Sequence, residues 1–294
     1  MIKIIETTWE SQPRRFARER SATNAHLREQ IPELEALSSR NSGRPDVLVI
    51  RTDPSASDET IRELSRDFSA ALGQLLPQDS EGALERDVVE RPVTGRVARY
   101  SESRGEAPMH TDGMHMPDRT VPHYFTLGCI HAAREGGLLA FVHLDDVLNG
   151  ILDEARDLSI LQNEYWFSTK GVDPRGRDHV ARPILEPSAE GGFEIQYARE
   201  YIDLGHALPG APALDLNTIE VLDRLDAILA TTDMRSYYKL KRGDVALIDN
   251  RRVLHSRTAF ENASGDEPRR MIRLWIDGAS ASAGITRNTT EARD

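Results

Sequence analysis

Cysteine is almost missing from this 294-residue chain, which has Cys129 and no other. No intrachain disulfide can form, and no cysteine-based zinc cluster can assemble. Cys129 sits in Tyr124-Phe125-Thr126-Leu127-Gly128-Cys129-Ile130. That run reads as a buried strand, so an inert core thiol is expected, not a nucleophile. Lysine is also scarce, at Lys3, Lys170, Lys239 and Lys241, against 33 Arg. We take this as a composition bias and not as a binding signal. Excess positive charge is lacking as well. There are 37 basic and 48 acidic residues, a net charge of −11, and no basic block. Nucleic acid and anionic membrane are therefore not the expected partners. No apolar run is long enough to span a bilayer, and Met1 to Gln12 lacks the pattern of a signal peptide. A reducing cytoplasm is the expected setting.

What the chain does have is length and an ordinary apolar content of 39%, enough for a substantial core. An apolar start is followed by a basic run, Arg14 to Arg20, read as a solvated arm or an oligomer contact. Thr23 to Ser39 reads as helix through Leu27, Ile31 and Leu34, with Pro32 as a break or a start. Asp46 to Arg51 reads as a buried strand. Ser57 is expected to cap a helix carrying Ile61, Leu64, Phe68, Leu72 and Leu75 on one stripe, ending near Pro77. Residues 78–92 read as an acidic loop and Val93 to Ser101 as a strand. Glu102 to Ala107 reads as a mobile approach to the segment that follows. Two strands are expected between Pro122 and Val142, and a short helix over Asp145 to Ala155. Residues 156–205 read as strands and loops, and Asn217 as the cap of a helix through Leu229. Strands are expected at Val245–Asp249, Val253–Phe260 and Met271–Ile276. Many short strands with few long helices predict a mainly β protein, a jelly roll with flanking helices. One domain is expected over 1–294, with 1–90 an N-terminal helix and strand elaboration.

The chemistry starts at Pro108-Met109-His110-Thr111-Asp112-Gly113. In an extended segment, residues two apart share a face, so His110 and Asp112 would project together. With a later His, here His255, they would form a two-His, one-carboxylate metal face of the kind that favours Fe(II). His-x-Asp alone is weak, and His143-Leu144-Asp145 is an equal rival. His255 follows an apolar strand and a polar turn, far along the chain from His110. A jelly roll brings such distant strands together. The alternative is a buried structural His. In Arg269-Arg270-Met271-Ile272-Arg273, a strand would put Arg269, Met271 and Arg273 on one face. Buried Arg needs an anion, from a protein carboxylate or from a ligand.

These blocks, with Leu127 to Gly137 and Arg242 to Phe260, resemble the Fe(II)/2-oxoglutarate-dependent dioxygenases of the taurine dioxygenase (TauD/TfdA) and clavaminate synthase-like family. The resemblance spans residues 94–277 and implies a double-stranded β-helix core. It implies His110, Asp112 and His255 as iron ligands, and Arg269 as the partner of the distal carboxylate of 2-oxoglutarate. Arg273 would lie near that carboxylate or the substrate, and Arg257 behind the ligands. It implies oxidation of a C–H bond by O2, with succinate and CO2 as co-products. A carboxylate at Asp112, where related halogenases have a small residue, points to hydroxylation, desaturation or ring formation. The implied substrate is a small amino acid or amino-acid-derived metabolite. Tyr100, Tyr124 and Arg199 are pocket candidates on position alone, and for each a purely structural role is the favoured alternative. Relatives often place a Thr just past the Gly-Gly turn to bond 2-oxoglutarate. Here that stretch is Leu138-Leu139-Ala140, and Thr126 is the nearest stand-in. Two rivals stand beside this expectation: a metal-binding jelly roll with isomerase or hydrolase chemistry, and a non-catalytic binding protein.

Overall fold

A computed structural model describes residues 2–9, 20–38, 44–91, 100–116, 121–151, 155–171, 173, 176–189, 191–262 and 267–278. Chain order begins β1 (Ile4–Thr8), α1 (Arg20–Gln30), α2 (Pro32–Ser38), β2 (Val47–Arg51), α3 (Asp58–Leu72), β3 (Gln74–Leu76) and β4 (Glu85–Val89). A 3-10 turn at Tyr100–Glu102 leads to β5 (Ala107–His110), β6 (Tyr124–His131), β7 (Glu135–Gly136) and β8 (Leu139–His143). Next come α4 (Leu144–Ile151), α5 (Ala155–Leu161), β9 (Glu164–Ser168), β10 (His179–Pro183), β11 (Leu185–Pro187), β12 (Phe193–Ile195), α6 (Arg199–His206) and α7 (Leu216–Ala230). The last strands are β13 (Ser236–Tyr238), β14 (Asp244–Asp249), β15 (Val253–Arg257), β16 (Phe260–Glu261) and β17 (Arg270–Asp277).

Two sheets form the centre. The larger runs β1-β2-β14-β6-β17-β3, with β4 also on β17, and the smaller runs β13-β8-β15-β5. Neighbours such as β2 and β14, or β6 and β17, are far apart in sequence, as a jelly roll requires. The strand period of two sorts the side chains into separate cores. Val47, Val49, Phe125, Leu127, Ala246, Ile248, Met271 and Trp275 point inward and meet Leu139, Phe141 and Val253 of the smaller sheet. Leu48, Ile50, Val245 and Leu247 point outward and meet Leu27, Leu34, Phe68 and Leu72 of α1–α3. The outer face of the smaller sheet, through Ala140, Val142 and Leu254, meets α4–α7 and β9–β12. Strands covered on both faces read as apolar runs, and β2 and β14 do so apart from Arg51, Asp244 and Asp249 at their ends.

Several expectations need correcting. α3 is capped by Ser57 as expected, but it ends at Leu72, and Leu75 lies on β3 paired to Ile276. The acidic stretch 78–92 is not all loop, because it holds β4. β4 pairs with β17, and its charges are outward side chains that α3 and β17 neutralise: Asp87 meets Arg62 at 2.7 Å and Arg270 at 2.9 Å, and Glu85 meets Arg66 at 2.7 Å. Residues 156–205 include α5 and α6, too short for a clear helical period. Asp215, not Asn217, caps α7, accepting from the Thr218 amide at 2.7 Å. Of the expected strand Val93–Ser101, residues 93–99 lie outside the described residues, as does most of the Arg14–Arg20 run.

Gly128 lets α3 approach the larger sheet closely. A Cβ there would sit 2.2 Å from Ser65 Oγ, which donates to Ile61 O at 2.7 Å. Gly128→Ala is therefore expected to cost about 1–3 kcal/mol in urea unfolding. Adding Ser65→Ala should recover more than half of that loss.

Candidate active site

β5 and β15 are paired neighbours, and His255 lies directly across from His110. Their rings are 4.3 Å apart between centroids, and Phe125 packs on His255 at 4.4 Å. Past the end of β5 the chain bends, and Gly113 takes a φ of +80°, where a Cβ would collide with Pro122 Cδ at 2.4 Å. The bend is fixed by Asn250, which accepts from the Asp112 amide at 2.7 Å and donates to Asp112 O at 3.0 Å and Pro122 O at 2.9 Å. Asp112 thereby turns its carboxylate toward the two imidazoles. One ligand atom from each of His110, Asp112 and His255 lies within 4.8 Å of the others. These were the three residues the sequence singled out.

The electrostatics prepare these groups. Asp112 Oδ2 accepts from Trp275 Nε1 at 2.9 Å, and Arg273 Nη1 lies 3.1 Å from both carboxylate oxygens. Burial is the largest single influence and works to raise the Asp112 pKa, but Arg273 and the other groups around the carboxylate together outweigh it and hold it at about 2. Burial lowers the pKa of His110 and takes His255 down to about 3, so both rings are neutral at pH 7. His110 Nδ1 lies 2.8 Å from Pro108 O, and the N–H this requires leaves the Nε2 lone pair free, 3.8 Å from Asp112 Oδ1. His255 Nδ1 is buried and has no hydrogen-bond partner among the described residues. Two neutral imidazoles and one carboxylate on one side of a point fit a divalent metal and leave its other positions open.

Two clefts meet at this cluster. One, with about 520 Å³ of open space, runs between the sheets past Phe125, Leu127 and Leu139 to Arg257 and Arg269. Arg269 is 3% exposed, its Nε has no hydrogen-bond partner, and no carboxylate pairs with it among the described residues. Burial, with Arg257 adding, pushes its guanidinium down to about 10. A buried cation in that state calls for an anionic ligand. The other cleft, about 650 Å³, opens on the far side of His110 and Asp112 between Tyr100, His115, Glu200, Tyr201 and Trp275. Its wall holds a charge pair: Lys170 Nζ is 2.8 Å from Glu200 Oε2 and 4.2 Å from the Tyr201 ring centre. Lys170 carries a φ of +48°, an uncommon conformation for a residue with a side chain.

The remaining sequence candidates sort themselves. Arg273 lines both clefts, but its Nε donates to Gln78 Oε1 at 2.8 Å and its Nη1 serves Asp112, so its present partners are protein groups. Tyr100 and Arg199 line the second cleft, although Arg199 is held by Asp203, Asp223 and Asp226. Tyr124 does not line it; its hydroxyl reaches Leu37 O at 3.3 Å under the helices. Thr126 cannot stand in for the absent Thr, because it points to the α3 face and bonds Ser69 Oγ at 2.7 Å. His143 is structural. Its Nε2 meets Asp46 Oδ1 at 3.1 Å, and its Nδ1 accepts from the Asp145 amide at 3.0 Å. Sequence reasoning missed Gln78, Asn250, Trp275 and the Lys170–Glu200 pair. Only Trp275 carried a signal, two residues past Arg273 on the same strand face.

Fold and site together define a jelly-roll protein with a facial set of two His and one Asp beside an anion-seeking Arg. Residues 17–275 match the family model of the taurine catabolism dioxygenase TauD, TfdA family, and the chain belongs to that family. It is 24% identical over 214 residues to FR-33289 synthase of Streptomyces rubellomurinus (strain ATCC 31215), covering 70% of this chain and 60% of that protein's length. Its fold is similar to asparagine oxygenase solved with Fe(II), 2S,3S-3-hydroxyasparagine and succinate, at a TM-score of 0.67 and 18% identity over 88% of this chain and 82% of that one. It is also similar to the non-heme iron oxygenase OrfP solved with Fe and alpha-ketoglutaric acid, at 0.64 and 17%, over 88% and 85%.

Removing Arg273 should expose how much Asp112 relies on it. Arg273→Met leaves a buried carboxylate without its cation and is expected to cost about 3–5 kcal/mol at pH 7. Asp112 has a folded pKa below its unfolded value, so its contribution is full above the unfolded pKa of about 3.9 and is lost as pH falls through about 2. Urea unfolding of the metal-free protein should therefore show the gap between variant and wild type narrowing below pH 4.

Proposed function

We propose that this protein is an Fe(II)- and 2-oxoglutarate-dependent oxygenase. It hydroxylates, desaturates or cyclises a small polar amino acid or amino-acid derivative. The observation that carries this is the convergence of His110, Asp112 and His255 at the end of a cleft whose other end holds the buried Arg269. A metal site with non-redox chemistry would use the three ligands but leave Arg269 without an anion. A binding protein would have no need of either.

In this assignment His110, Asp112 and His255 hold the iron, and Arg269 takes the distal carboxylate of 2-oxoglutarate. The bound iron supplies the activation of O2. Everything else is positioning. Arg273, Trp275 and Asn250 fix the Asp112 carboxylate in direction and charge. Phe125, Leu127 and Leu139 keep water from the co-substrate. Tyr100, Glu200 and Tyr201 wall the second cleft, where a substrate would present one C–H bond toward the iron ligands. The Glu200 carboxylate, backed by Lys170, offers an acceptor for an amine or amide of that substrate. The 3-hydroxyasparagine bound in the similar asparagine oxygenase structure supports the substrate class.

Adding Fe(II) and 2-oxoglutarate without oxygen should give a weak visible charge-transfer band that is absent in His255→Ala. Tight Zn²⁺ binding with no such band would overturn the assignment. Succinate release on addition of free amino acids should then identify the substrate group.

A further inference from the structure

We infer that Arg257 is a second binding residue for the distal carboxylate of 2-oxoglutarate, sharing with Arg269 the place for which Leu138-Leu139-Ala140 offers no side-chain donor. This rests on the co-substrate assignment above.

The placement follows from strand geometry. Arg257 is two residues beyond His255 on β15, so both side chains leave the same face. It lines the cleft that His255 and Arg269 line, and it is 6% exposed. Both guanidiniums lie against one ring: the central carbon of Arg257 is 4.7 Å from the Phe260 centroid and that of Arg269 is 5.3 Å from it. Phe260 thus holds two cations at one end of the cleft. Among the described residues neither has a carboxylate partner. The hydrogen bonds Arg257 makes go to neutral carbonyls, from Nε to Thr258 O at 3.3 Å and from Nη2 to Gly105 O. These use only part of its donor fork.

Charge decides what the pair is for. Two like charges out of water repel each other and lose their hydration, a cost that persists only if an anion repays it. Arg273 cannot be counted with them, because Asp112 already neutralises it. Leu139 is apolar, Thr126 faces α3, and the Thr258 hydroxyl is engaged by the Leu138 amide at 3.0 Å. A carboxylate entering this end would meet the Arg269 fork and the free N–H groups of Arg257 together.

The test is calorimetric titration of the Mn(II)-loaded protein with 2-oxoglutarate and with 2-oxobutanoate, which keeps the chelating end but lacks the distal carboxylate. Arg257→Gln should weaken 2-oxoglutarate at least tenfold and 2-oxobutanoate less than twofold, and Arg257→Lys should regain most of the affinity. Loss of affinity for both ketoacids alike, or 2-oxoglutarate bound within twofold of wild type, would overturn the inference and leave Arg257 as a prop for Gly105. Thermal unfolding of both variants identifies any that fail to fold, and Arg257→Lys then carries the comparison. If wild type bound neither ketoacid, the oxygenase assignment itself would fall and Arg257 with it.

Discussion

Everything in this site depends on Asp112 staying charged while buried. Its carboxylate is surrounded by strands and has almost no water, a situation that ordinarily drives a carboxyl to protonate. The Arg273 guanidinium leads the groups that together reverse that outcome, and the Trp275 indole N–H is among them. Arg273 is in turn held by Gln78 from the segment after β3. The Asp112 backbone is held by Asn250 from the turn between β14 and β15. The three side chains of the proposed metal face are thus braced by residues from three separate stretches of chain.

The same layering that builds the core makes the two clefts. Inward side chains of the larger sheet are mostly large and apolar, and they meet those of the smaller sheet over most of the interface. Where His255, Arg257, Arg269 and Arg273 replace them, the interface cannot close as a dry core. The polar residues on the inner faces of β15 and β17 therefore define the cavity. Its charge is asymmetric: one guanidinium is neutralised by Asp112, and two at the far end are not. Under the proposed assignment, that asymmetry would give a dianionic co-substrate one orientation, with its chelating end at the His and Asp cluster. On the opposite side, the Lys170–Glu200 pair gives the second cleft a different polarity.

Much of the fold and the cluster was legible from sequence. Apolar runs such as Val47–Ile50 and Val245–Ile248 read as strands because both faces are covered. The set His110, Asp112, His255 and Arg269 was legible through the family resemblance and not from the His-x-Asp spacing alone. Where periodicity was weak, the reading failed. β4 looked like a loop because its outward charges are paired by α3, and α5 and α6 are too short to show a helical stripe. Tyr124 and Thr126 were misplaced because residues on one strand alternate between the site and the helix layer, and sequence does not say which parity faces which.

The sequence by itself determined the strand-rich architecture and the ligand chemistry, since one carboxylate, two imidazoles and clustered Arg limit what can be bound. The family resemblance favoured the first of the two His-x-Asp triplets, and the tertiary structure supplied the physical reason. β5 pairs with β15 and sets His110 across from His255, whereas His143 is spent on Asp46. It also decided the work of the three Arg, which composition cannot distinguish. Arg273 meets a carboxylate 161 residues away, while Arg257 and Arg269 meet none among the described residues. Such pairings are long-range, and they depend on which strands become neighbours when the sheets pack.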